Sequence, residues 1–376
     1  MSSIIELENL ISRLTPAERA LFDTILDIHV SEGHLNLPAT FRDKAVSYFV
    51  NSDNHVSNAK NDELVLNRLK NQTVVRTFNK LSGEGALFNW LRAFPPGSKT
   101  TVISPEQLHQ HIESSRKNCD FCQVRELTAE DTFGRLQGRH CTIASNIAKY
   151  DAWHSVICFN KHNPLDFNQE ELSDYLETSF RWFAKVREAN PAFRFPFLMW
   201  NCLEKAGASV VHGHAQVLMS RDSHYAKTEH IRKVAADYRK NFGRDYFSDL
   251  FQAHYLVNLA FADQDTAIIA NLTPIKEKEV IIVSRRSPAE DESAKRAIYR
   301  TLRCFIDELG VNSFNLSISI PPLGDREIPY ITRLVDRGHV FKPTADIGCM
   351  ELYASSVIAS DPYLVINKLK NYYARF

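Results

Sequence analysis

No sign of charge predominates in this chain of 376 residues: 45 Lys and Arg stand against 45 Asp and Glu, and the pI is near 7.2. That balance removes the basic field on which non-specific binding to nucleic acid or to an anionic membrane depends, and neither partner is expected. Long apolar runs are also lacking, since none approaches the roughly 18 residues of a membrane span. The start, Met1-Ser-Ser-Ile-Ile-Glu, has no basic segment followed by a hydrophobic stretch, so nothing here reads as a secretory signal and a cytoplasmic location is expected. Cysteine is sparse and odd in number, seven in all, at 119, 122, 141, 158, 202, 304 and 349. Such a set does not form a disulfide framework and implies reduced thiols. What remains is 44% hydrophobic residues, enough for a large core, and a length that allows two or three compact units.

Residues 1–75 read as a helical extension. Thr15-Pro16-Ala17-Glu18 joins an N-cap, a proline at the first helical position and a capping-box glutamate, ahead of Leu21, Ile25 and Ile28. The polar stretch 51–62 closes it as a loop. Beyond it runs a faint internal repeat. Residues 143–159, a helix over about 170–188 and Phe195–Asn201 read as strand, turn, strand, helix, strand. Residues 268–284, a helix over about 293–309 and Ser313–Ile320 read the same way some 125 residues later. The fold class expected is therefore α+β: two related halves, 76–248 and 249–376, each an antiparallel sheet with packed helices, plus the N-terminal extension.

Cys119-Asp-Phe-Cys122 has the spacing that lets two thiolates reach one metal from a tight turn, and a dithiolate with two imidazoles suits tetrahedral zinc. The pair alone also fits a redox dithiol or two unrelated buried cysteines. A thioredoxin-like role is disfavoured because a helical segment over 105–117, not a strand, leads into it. His162 follows a strand, where a side chain can point into a cleft, and His212 opens the segment His212-Gly-His214-Ala-Gln216. Read as one strand, that segment sets 212, 214 and 216 on one face, with the two histidines about 6.6 Å apart along the chain. One can ligate a metal while the other stays free. His109 and His111 share the spacing but belong to a helix, and read as surface residues. Upstream, Lys205-Ala-Gly207-Ala-Ser209 offers turn amides and a hydroxyl of the kind that bind phosphate. A neutral imidazole attacks phosphoanhydrides well, giving a phosphohistidine-type adduct and two-step chemistry. Two histidines merely hydrogen-bonded within a sheet are the plainer alternative.

Taken together, Gly207-Ala-Ser-Val-Val-His212-Gly-His214-Ala-Gln216, with Asn201 upstream, resembles the active-site segment of galactose-1-phosphate uridylyltransferases of the histidine-triad superfamily. Leu81-Ser-Gly-Glu84, Arg92 before Pro95 and Pro96, and Thr344 to Leu352 are similar to further stretches of that family, so the likeness spans about 76–376. The resemblance implies two histidine-triad-like halves. It makes Cys119, Cys122, His162 and His212 the ligands of one structural zinc, and His214 the nucleophile. Gln216 and Ser209 would hold phosphate oxygens, with Gly207 in the same loop, Asn201 would support them, and Arg92 would bind the nucleotide.

The implied activity is movement of a nucleoside monophosphate between a sugar nucleotide and a sugar-1-phosphate. Phosphorolysis of a nucleoside diphosphate sugar or dinucleotide is the runner-up, and a silent nucleotide-binding regulatory protein is the alternative of another class. Gln216 disfavours hydrolysis, because an amide cannot shuttle a proton as a third histidine would. Pro95 stands where the family has a second arginine, Val210-Val211 where it has Asn-Pro, and the second half lacks a His-x-His. Base and sugar are therefore not specified. The extension would serve as a lid or as an oligomer contact, a homodimer included.

Overall fold

The computed structural model describes residues 3–50, 59–93, 104–325, 328–341, 349–352 and 354–376. The loop expected at 51–62 falls largely outside these, as do Pro95, Pro96 and most of the Thr344–Leu352 stretch. The Thr15–Glu18 capping box starts the helix Pro16–Ile25 as expected. The extension is nevertheless not all helical. Ile28, expected on that helix, lies in strand β1 (Leu26–His34), which pairs along its length with β2 (Asn71–Asn79). The apolar residues Leu26, Ile28 and Val30 recur every second position, and that alternation outweighs the helical spacing that precedes it. β3 (Gly85–Phe88) follows on β2, and β13 (Ser355–Ile358) joins β3 in parallel, so a small sheet of order β1-β2-β3-β13 ties both ends of the chain together.

The remaining strands form one antiparallel sheet. They are β4 (Cys141–Ser145), β5 (Trp153–Phe159), β6 (Phe195–Cys202), β7 (His214–Ser220), β8 (Ala260–Asp263), β9 (Thr266–Ala270), β10 (Glu277–Ser284), β11 (Phe314–Ser319) and β12 (Tyr330–Asp336). Their order is β4-β5-β7-β6-β11-β12-β10-β9-β8. The internal repeat appears here as symmetry about the β6–β11 seam: β7 and β12, β5 and β10, β4 and β9 occupy matching places. Six residue pairs from Phe314↔Cys202 to Ser319↔Phe197 close that seam, so the two expected sheets are one.

Three helices cover one face, and Ala226–Phe242 and Tyr246–Leu256 lie over part of the other. Gln169–Ala189, started by the Asn168/Glu171 capping box, packs on β4, β5 and β7. Glu292–Arg303 and Pro362–Tyr373 pack on the second half. Phe159 stacks on Tyr175 of the first helix at 3.8 Å, and Trp182 donates to the buried Asp131 at 2.7 Å. Alternation then turns His154, Val156 and Cys158 of β5 to the opposite face. Among the described residues no helix is long and apolar enough to cross a membrane.

Candidate active site

The helix Pro105–Ser114, capped by Ser104 and Gln107, runs into two short turns that carry Cys119 and Cys122. The donor atoms of Cys119, Cys122, His162 and His212 all lie within 4.8 Å of one another. Cys119 Sγ is 3.4 Å from His212 Nδ1, Cys122 Sγ is 3.4 Å from His162 Nδ1, and the two Nδ1 atoms are 3.1 Å apart. A tetrahedral zinc, with bonds of about 2.0–2.3 Å, requires edges of roughly 3.3–3.8 Å. The tautomers agree with this. His162 Nε2 donates to Ile112 O at 3.0 Å and His212 Nε2 to Phe159 O at 2.8 Å, and a carbonyl can only accept. Both Nδ1 lone pairs therefore converge on one point, which a cation satisfies and a second lone pair does not. Burial and the neighbouring Cys119 push the Cys122 thiol up to about 11, and burial holds His212 down at about 4. A bound cation would favour both the thiolate and the neutral imidazole. The residues present fit zinc.

His212 is not on the strand that sequence spacing placed it on. β7 begins at His214, and residues 209–213 turn to deliver His212 to the metal site. Gly213 makes that turn against its neighbours: its N–H bonds His162 O at 2.8 Å, and its carbonyl accepts from Phe159 N at 2.9 Å. A Cβ there would lie 2.7 Å from Phe159 Cδ2 and 3.2 Å from Pro164 Cα, so only glycine fits. The turn also brings His214 Nδ1 to 2.7 Å from His212 O. Nδ1 must carry the proton of that bond, which leaves the lone pair on Nε2. Burial keeps the His214 imidazole below its ordinary pKa, against the bond to His212 O. Phe121, between the two cysteines, meets the His214 ring edge-on at 5.4 Å, so the cysteine loop also covers this histidine.

Gln216 shares the outward face of β7 with His214. Its Oε1 accepts from His154 Nε2 at 2.8 Å, while Tyr150 N donates to His154 Nδ1 at 3.0 Å. The backbone N–H fixes Nδ1 as the acceptor, so Nε2 carries the proton. Gln216 is thereby held with its oxygen occupied and its NH2 group available to an acceptor. His154 is fully buried and escaped the sequence reading. Its alternation in β5 was visible, but the Val156↔Gln216 register that brings it to Gln216 was not.

Asn201 on β6 lies on the same face. Continuing the Met199↔Gln216 register by two residues sets it opposite His214. Its Oδ1 accepts from Asn315 Nδ2 at 2.7 Å, and Arg337 donates to Asn315 Oδ1. Two second-half residues that the sequence did not single out thus support the site. Between β6 and β7, Gly207 and Ser209 are exposed in a tight loop. Leu203 holds φ +66° and Gly207 φ +90°, and the N–H groups of Ala206 and Ala208 both bond Leu203 O. Positive φ with ψ 170° at buried Leu203 is a strained feature of the β6–β7 loop. Arg92 stands apart, exposed on a turn (Trp90–Ala93) after β3 of the small sheet. His111 lies at the surface as expected, where its Nε2 is 2.8 Å from Glu204 of the β6–β7 loop.

No family model matches the chain. A curated relative from Archaeoglobus fulgidus, described as an uncharacterized protein, is 23% identical over 164 residues, and the chain spans about half its length. That alignment takes in 40% of the chain and 48% of the relative. Among solved structures, an ADP-glucose phosphorylase from Arabidopsis thaliana with bound ADP-glucose aligns at TM-score 0.58 and 14% identity, over 78% of this chain and 97% of that one. A GalT-like protein from Arabidopsis thaliana aligns at 0.55 and 15%, over 68% and 92%. A uridylyltransferase aligns at 0.55 and 13%, over 80% and 99%. The chain shares the α+β fold of these three solved structures, with one continuous sheet built from two similar halves.

Proposed function

We propose that this protein is a nucleotidyltransferase that moves a nucleoside monophosphate from a sugar nucleotide to a phosphate-bearing acceptor through His214. The observation that carries this reading is the 2.7 Å bond from His214 Nδ1 to His212 O, which directs the lone pair to Nε2. In the first step Nε2 attacks the α-phosphorus: a P–N bond forms, the P–O bond to the sugar phosphate breaks, and that sugar phosphate leaves as an anion. The Nδ1 proton stays on the ring, and the positive charge of the adduct is shared with His212 O. In the second step an acceptor phosphate oxygen displaces Nε2, restoring the neutral imidazole.

Gln216 donates its NH2 to a phosphoryl oxygen, where charge builds in the transition state, and His154 keeps that amide from turning. The Gly207–Ser209 loop and Asn201 complete the phosphate cradle, while Arg92, exposed on the small sheet, is left without a part in it. Zinc on Cys119, Cys122, His162 and His212 would be structural, fixing the turn that aims His214. The same mechanism with inorganic phosphate as acceptor is phosphorolysis. The ADP-glucose held by the similarly folded phosphorylase puts that ligand on the panel to be tested.

Intact-mass analysis after incubation with nucleoside diphosphate sugars, without acceptor, tests the reading. One added nucleoside monophosphate is expected, absent from His214→Ala, and discharged by hexose-1-phosphate or by inorganic phosphate according to the acceptor. No mass gain with any donor, together with intersecting initial-velocity lines, would overturn the covalent mechanism.

A further inference from the structure

The sheet face that carries His214 and Gln216 continues across the β6–β11 seam into the second half. There it floors a cavity of about 220 Å³, roofed by the helices Ala226–Phe242 and Tyr246–Leu256. Its floor includes Ser317 of β11 and Ile331 and Arg333 of β12, the strand that matches β7 across the seam. The cavity is thus the second half's counterpart of the catalytic face. β12 carries no histidine, so the imidazole chemistry proposed for His214 has no counterpart there.

The wall identifies the ligand class. Its charged groups are paired: Glu84 Oε1 lies 3.0 Å from Arg333 Nη2 and 2.7 Å from Lys227 Nζ, and Arg333 Nε lies 2.7 Å from Oε1 of Glu279, a buried residue outside the lining. Glu84 meets both lining cations, so an ionic ligand would have to break a pair that is already made. The rest of the lining is mainly aromatic and aliphatic, with Phe197 and Phe247 among the rings. The half-buried Ser317 hydroxyl supplies a polar group on the floor. At about 220 Å³ the space is below the roughly 300 Å³ at which pockets for drug-sized ligands begin, and it admits one flat ring system. Left empty, its walls would forgo those contacts.

We propose that this cavity is a second, non-catalytic binding site for an uncharged planar ring of nucleobase size. The proposal does not depend on nucleotidyl transfer. Adenine is the probe, titrated calorimetrically into the full chain, with 8-azidoadenine as its photolabelling form and glucose as a non-aromatic comparison. Saturable adenine binding is expected, with photolabel on peptides within 225–250 or 314–333. Binding should weaken at least tenfold in Ser317→Phe, which fills the cavity, and stay unchanged in His214→Ala, which removes the adduct. Label confined to peptides of residues 119–160, tighter binding of glucose than of adenine, or undiminished binding in a folded Ser317→Phe would overturn it. If Ser317→Phe does not fold, the label position on the unaltered chain decides.

Discussion

The proposed chemistry rests on two proton positions, each set by a backbone group. His212 O holds the proton on Nδ1 of His214, and Tyr150 N–H excludes it from Nδ1 of His154, so Gln216 meets a donor. Burial holds the His154 imidazole down, which keeps it neutral and in this tautomer. A phenylalanine at 154 would fill the space without donating, and Gln216 could then turn its oxygen toward the phosphate. Removing a preorganised donor to a developing oxyanion costs about 100- to 1000-fold in rate. Since His154→Phe removes only the orientation, a loss of about 10- to 100-fold in the single-turnover rate of adduct formation is expected. Donor KM should change less, and zinc content should stay normal. An unchanged rate would show that Gln216 needs no such hold.

At the scale of elements, the cysteine loop and the β7 turn meet at the four clustered donors and at Phe121. Metal ligation is coupled to folding wherever the ligands lie on segments without other strong anchors, and Cys122 is exposed on a short turn. Cys119→Ser, or a strong chelator on the unaltered protein, should lower the melting temperature and abolish the adduct together. His214→Ala should lose the adduct with metal content and melting temperature nearly intact. Elemental analysis beside calorimetry checks both. A metal-free protein of undiminished stability would remove zinc from the account. The His-x-His motif was legible in sequence, yet its two residues proved to belong to different elements. A period of two predicts a strand, and only the contacts of Gly213 with Phe159 and Pro164 show why the strand starts two residues late.

Across the whole molecule, Glu84 links the turn between β2 and β3 to β12 and to the helix at Lys227. Burial alone would raise its carboxyl, but Arg333 and Lys227 outweigh this and hold it near 2, against an ordinary 4.5. A depressed carboxyl stabilises the fold above its unfolded value and ceases to do so as pH falls through the folded one. The stabilisation is therefore complete above pH about 4.5 and lost toward pH 2, and amounts to roughly 3 kcal/mol if fully expressed. Glu84→Gln should unfold at lower denaturant than the unaltered protein at pH 6, with the difference shrinking toward pH 2.5. A constant difference over that range would place the effect in packing instead.

The sequence by itself determined the α+β class, because periodicity is a local property, and its resemblance to a known family pointed to Cys119, Cys122, His162 and His212, which the structure brings together. It also marked the Thr15 helix start, while missing the strand at Leu26, where alternation takes over from helical spacing within a few residues. Only the tertiary structure decided that the two halves share one sheet and that His154 restrains Gln216. The same holds for the reach of Asn315 and Arg337 of the second half toward Asn201, and for the exposed position of Arg92 on another sheet. Each of these depends on strand register and order between segments tens to more than a hundred residues apart, and pairing across such distances is fixed by the packing of the whole core, not by any stretch of chain read alone.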